Sequence, residues 1–175
     1  LNSYMFFAES SFSDLYANIH VGFPRTGVRQ HATQTIKITE LRWLPYLGVK
    51  TLYVRALAQN EGREYSPIVL FKKVNYNVNE GDKNVATINA SNGGKYSFEK
   101  LSLKNTDILL RCECKDFRYR FGWYNNLDKS LYASAPPKYE SKGVGPPANP
   151  MELSGMCKHC IKLIKVLGTS GVFSE

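Results

Sequence analysis

All four cysteines of this 175-residue chain fall in two short clusters, Cys112-Glu113-Cys114 and Cys157-Lys158-His159-Cys160, and the second also carries one of the three histidines. Thiolate and imidazole are soft donors that suit zinc, an ion with no geometric demand of its own and usually four-coordinate where its role is structural. The two clusters read as halves of one tetrahedral Zn2+ site. That reading constrains the fold more than any other feature, because segments more than 40 residues apart must converge on one ion. Four protein ligands fill the coordination shell and leave no position for water or substrate, so a closed site argues for folding rather than catalysis.

Two ligand sets compete. One is Cys112, Cys114, Cys157 and His159; the other replaces His159 with Cys160. The first is favoured because HCIKLIKVL, from His159 onward, has the spacing of a short helix whose apolar stripe takes in Cys160, Leu163, Ile164 and Leu167, which makes Cys160 a small core residue. A Cys112–Cys114 or Cys157–Cys160 disulfide in a secreted chain is the competing reading of the same cysteines.

The residues CECKDF, with Phe117, followed by GMCKHCIKLIKVL, with Gly155, Cys157 and His159, resemble the SWIM-type zinc finger, Cys-x-Cys then Cys-x-His and a helix. The 42 residues between Cys114 and Cys157 exceed the usual interval of that family and suggest an insertion that loops out between the halves. The resemblance implies a module for binding DNA or protein rather than for turnover. More loosely, CECKDFRYRF, Asn125 and Asn126, GPPANP and GMCKH together resemble structural proteins of tailed bacteriophages, marine T4-like ones in particular. That likeness implies a virion component working in many copies through contacts with other protein subunits.

Composition fits these expectations without selecting among them. The 43% hydrophobic and 22% charged residues are those of an ordinary globular chain. A formal net charge of +8 invites nucleic acid as a partner, yet residues 1–100 carry 12 basic and 8 acidic groups and residues 101–175 carry 11 and 7, so no basic block stands out. No apolar run approaches the roughly 20 residues that span a bilayer. The first 20 residues lack the basic start and apolar run of a signal peptide, so a virion or intracellular setting is expected rather than secretion.

The fold class expected is α+β, a mainly antiparallel β body with a zinc-stapled C-terminal module ending in a short helix. Residues 1–110 form the body, 111–167 the SWIM-like module with a proline-rich insertion at 133–150, and 168–175 a frayed tail. Period-two alternation predicts strands at 35–43, 51–58, 65–76, 85–89, 95–103 and 108–114, the last delivering Cys112 and Cys114 to one side. Asn60-Glu61-Gly62 suits a hairpin, and Pro67 suits a strand start or an edge.

Beyond the ligands, the candidate interaction residues are Arg118 and Arg120, interleaved with aromatics, then Trp123 and Tyr124, and the lysine row Lys158, Lys162 and Lys165. They offer a phosphate-binding or protein-binding face, or simply a solvated one. Phe117, Phe121 and Tyr124 have helical spacing, and the insertion is either an extended interaction arm or a spacer. His20 and His31 stand alone in the sequence and read as surface or core residues. No Walker loop, nucleophile elbow or His-Glu-x-x-His motif is present, so neither an enzyme nor a small-molecule substrate is expected.

Overall fold

The computed structural model describes residues 9–24 and 30–174. Among these lie seven strands, β1 (Lys37–Tyr46), β2 (Thr51–Asn60), β3 (Arg63–Tyr65), β4 (Ile68–Phe71), β5 (Val85–Asn89), β6 (Lys95–Glu99) and β7 (Ile108–Arg111). Three α-helices accompany them: α1 (Phe12–Gly22), α2 (Gly122–Leu127) and α3 (Lys158–Gly168). The architecture is α+β, and the seven strands pair with one another antiparallel throughout. One sheet runs β1-β2-β4-β7 with β3 also on β2, and β5-β6 form a separate hairpin.

The main sheet follows from side-chain alternation with two irregularities. Leu52, Val54, Ala56 and Ala58 of β2, Val69 and Phe71 of β4, and Ile108 and Leu110 of β7 point into the core. In β1 the apolar residues Ile38, Leu41 and Trp43 break strict period two, and a bulge between Ile38 and Glu40 restores the phase. Ile38 then faces Ala58, Leu41 faces Ala56 and Trp43 faces Val54, all on the core side. The expected strand at 65–76 is split instead. Glu61 and Gly62 take φ of 51° and 74°, the left-handed pair of a tight hairpin, so β3 folds back on β2 in the predicted place. Pro67 then interrupts the ladder just before β4, because it has no N–H to donate, while its carbonyl still accepts from the Ala56 N–H at 3.1 Å.

Both sheet edges are contacted from outside the sheet. On β1 the Trp43 N–H donates to the Ser91 hydroxyl at 3.0 Å and its carbonyl accepts from the Ser91 N–H at 2.9 Å, and Pro45 further along has no N–H. On β7 the Ile108 N–H donates to the Ser10 carbonyl, and Leu110 exchanges bonds with Ser130 and Tyr132. Each such contact shortens the stretch of edge on which another strand could pair.

Helix α1 has no counterpart among the sequence-based expectations. It begins at a capping box in which the Asp14 N–H donates to the Ser11 hydroxyl and the Ser11 N–H donates to the Asp14 carboxylate at 2.9 Å, and it buries Leu15 and Ile19 one turn apart. The C-terminal residues are docked rather than frayed. The Leu101 N–H donates to the Val172 carbonyl, the Ser174 N–H donates to that of Leu101, and Phe173 meets Phe71 edge-on at 5.9 Å. Nor are two of the histidines isolated: His20 and His31 stack at 4.5 Å, with Tyr16 edge-on to both.

Helix α3 is buried on nearly all sides. His159, Cys160, Ile161, Leu163, Ile164 and Leu167 are inaccessible, and they share one core with α1, the main sheet and Phe98 of β6. No helix among the described residues is long and apolar enough to cross a membrane.

Candidate metal centre

β7 ends at Arg111, so Cys112 and Cys114 leave the sheet rather than lie within it, but the inward phase of Ile108 and Leu110 continues and both sulfurs stay buried. Cys114 then starts a helical turn. Its carbonyl accepts from the Arg118 N–H at 3.0 Å, and its sulfur accepts from the Phe117 N–H at 3.3 Å. From Phe117 to Phe121 the turn is a π-helix leading into α2, and Phe117 and Phe121 are buried as helical spacing predicts, whereas Tyr124 is half-buried. The widened turn lets two bulky rings enter the core from one short element.

The second half of the centre sits at the start of α3. Cys157 is the N-cap, extended at φ −77° and ψ 165°, and His159 lies in the first turn. The ligand atoms of Cys112, Cys114, Cys157 and His159 all lie within 4.8 Å of one another, and all four residues are buried. His159 Nδ1 is 3.9 Å from Cys112 Sγ and 3.8 Å from Cys157 Sγ. A tetrahedral zinc ion with ordinary bond lengths separates sulfur and nitrogen donors by about 3.6 Å and two sulfurs by about 3.8 Å. The cluster is therefore close to the size of a metal shell, and the donor set is the one zinc takes.

The surroundings favour a cation. Burial, followed by the neighbouring Cys112 thiol, pushes the Cys157 thiol up from its ordinary range, so packed thiols here stay neutral unless a positive charge joins them. The N-terminus of α3 lends part of that charge. The His159 ring stacks on Tyr65 at 4.2 Å, and its Nε2 is buried with no hydrogen-bond partner among the described residues.

Cys160 stands just outside the four. It is wholly buried in the stripe with Leu163, Ile164 and Leu167, as the helical spacing predicts, and its thiol lies 3.8 Å from Cys157 Sγ and 3.9 Å from the Arg111 carbonyl. All four cysteines are free thiols, which sets aside the disulfide reading for this structure.

One residue that sequence reasoning did not single out for the site holds the loop before Cys157. Asn125, completely buried on α2, donates from its amide to the Gly155 carbonyl at 2.8 Å and accepts from the Gly155 N–H at 2.9 Å. Gly155 itself has no room for a side chain, since a Cβ there would come within 2.6 Å of the Phe121 ring. Two exposed-looking asparagines after an aromatic run give no sign of such a role in the sequence.

The remaining candidate residues divide. Arg120 is occupied: it ion-pairs with Asp116, donates from Nε to the Ala148 carbonyl at 2.8 Å and lies over the Phe23 ring. Arg118 is exposed with its guanidinium 5.7 Å from the Tyr119 ring, and Tyr119 in turn meets Tyr139 of the proline-rich segment at 4.7 Å. Trp123, Tyr124, Lys158 and Lys162 are half-buried, and the exposed Lys165 reaches the Thr33 hydroxyl at 3.4 Å. The proline-rich segment is tied at both ends. Arg111 holds the carbonyls of Tyr132 and Ser134, and Asn149 donates to the carbonyls of Arg120 and Leu153. Between the ties most of it is exposed.

Comparison of the chain with protein-family models, with curated proteins and with solved structures finds no match. What the structure establishes is a buried Cys3His cluster able to hold a metal ion.

Proposed function

We propose that the chain is a non-enzymatic, zinc-stabilised structural protein that works through contacts with other protein subunits, and that its SWIM-like centre staples α3 and the ends of the proline-rich segment onto the sheet. The observation that carries this reading is the convergence of four buried donors from both ends of a long loop within 4.8 Å. A closed four-ligand shell supplies rigidity rather than an open coordination position, and metal binding to such a site adds directly to folding free energy. The assembly the sequence resemblance points to is a tailed-phage particle. Exposed Tyr119 on the π-helix, Tyr139 on the segment and Met151 just past its end, with Leu47 and Val49 at the β1–β2 turn, offer side chains for subunit contacts.

The test measures metal content and folding together. One zinc per chain, with loss of cooperative unfolding after chelation, is expected; a chain that melts unchanged once all metal is removed defeats the staple. Sedimentation of the zinc-loaded chain over a range of concentrations then reads its tendency to assemble, and a strict monomer at the highest concentration opposes the assembly role.

A nucleic-acid-binding reading has one observation in its favour, the exposed Arg118, Tyr119 and Tyr139 cluster. Stacking and phosphate contacts would give affinity for single strands that falls steeply with salt. Titration with single-stranded DNA at two ionic strengths separates the readings, and absence of binding at low salt removes this one.

A further inference from the structure

The fourth cysteine has a placement that neither packing nor metal binding requires. Cys160 lies outside the Cys112, Cys114, Cys157 and His159 set, yet its sulfur is 3.8 Å from that of Cys157. A small apolar side chain would fill the same buried position. Cys157 caps α3 and Cys160 lies three residues on, so the two thiols face each other across the first turn. Closing that gap to the roughly 2.05 Å of a disulfide asks for a side-chain adjustment rather than a rearrangement of the fold.

We propose that Cys157 and Cys160 form a reversible disulfide on exposure to a peroxide, and that its formation unloads the metal from the centre. The inference rests on the metal-centre reading for its second half only; the disulfide itself requires no metal. A cleft of about 650 Å³ with Cys114 and His159 in its wall brings a small oxidant up to the outer side of the cluster, with the wholly buried Cys157 and Cys160 behind them. The Cys157 sulfur attacks one peroxide oxygen, the O–O bond breaks, and the products are a sulfenic acid and hydroxide, which becomes water with the Cys157 proton in the metal-free chain or a solvent proton where the sulfur is a metal-bound thiolate. The Cys160 sulfur then attacks Cys157, the S–O bond breaks, and hydroxide leaves with the Cys160 proton as a second water. Two electrons pass from the two sulfurs to one hydrogen peroxide. Cys157 is thereby removed from the shell, leaving Cys112, Cys114 and His159, and a three-ligand remnant holds zinc far more weakly.

The experiment uses the full zinc-loaded chain and hydrogen peroxide, with a chromogenic chelator reporting released metal. Trypsin cuts after Lys158, so a Cys157–Cys160 bridge appears as two linked peptides in the mass spectrum. Release of one zinc per bridge, reversed by a thiol reductant with added zinc, is expected. Cys160→Ser should keep its zinc before treatment but give no linked peptides, and with no resolving thiol its Cys157 should pass on to the irreversible sulfinic acid, so that reductant with added zinc restores much less metal than in wild type; Cys160→Ala serves the same purpose if the hydroxyl disturbs the core. A bridge elsewhere, such as Cys112–Cys114, or equal and equally reversible release from wild type and both variants, overturns the proposal. If the untreated chain holds no zinc, the metal reading fails by itself, and the linked peptides still decide the disulfide.

Discussion

The side-chain amide of Asn125 satisfies both backbone groups of Gly155, donating to its carbonyl at 2.8 Å and accepting from its N–H at 2.9 Å. This pair of bonds fixes the chain two residues before Cys157, so α2, which carries none of the four donors, sets where half of the Cys3His cluster arrives. Asn125→Ala leaves a buried donor and a buried acceptor unpaired, at a cost of about 2–4 kcal/mol. The expected outcome is a lower denaturation midpoint with unchanged slope. Asn125→Asp keeps the acceptor for the Gly155 N–H but loses the donor, and should also be destabilised.

Gly155 is where the loop passes against Phe121 with no space between them. Gly155→Ala forces the ring aside and should cost about 2 kcal/mol. Pairing it with Phe121→Leu makes room, so a double-mutant cycle should show the second substitution recovering part of the loss. Strict additivity would mean that the close approach is not the cause.

Metal ligation predicts an ordered pattern of losses. His159→Ala and Cys114→Ser should each abolish stoichiometric zinc, whereas Cys160→Ser should retain it. At a free zinc concentration about 1,000 times the dissociation constant, binding stabilises the folded chain by about 4 kcal/mol, so the melting temperature should rise with added zinc in wild type and in the Cys160 variant alone. Metal loss from the Cys160 variant together with retention in the His159 variant reverses the ligand assignment.

Stability should also respond to acid through His31. Burial, then the charges of His20 and Lys165, lowers its pKa from 6.5. A depressed histidine resists the proton that the unfolded chain accepts, so stability is unaffected above pH 6.5 and falls as the pH drops below it, levelling off under the folded-state value. His31→Phe keeps the stack on His20 and Tyr16 and should flatten that limb. An identical slope in the variant would assign the acid response to other groups.

Much of this architecture was legible from local pattern. β2, β5 and the helix after Cys157 emerged from periodicity, and the Glu61-Gly62 hairpin from turn chemistry, because each depends on neighbours in the chain. Cys160 fell on the apolar stripe for the same reason. Helix α1 is harder to read locally: Ser11, Asp14, Leu15 and Ile19 carry a cap and a one-turn apolar pair, but the aromatic-rich sequence around them obscures the period. The end of β7 at Arg111 depends on which partner strand remains within reach, and alternation alone does not record that.

The order of donor types along the chain was enough to announce a thiolate and imidazole centre, because ligand chemistry is a property of side chains and survives any fold. That the four donors lie within 4.8 Å of one another, why Gly155 must lack a side chain, and that Arg120 is spent on Asp116 and Ala148 while Arg118 is exposed beside Tyr119 were decided only in three dimensions. These are distances between segments that meet through the packing of one core, and no local pattern contains them.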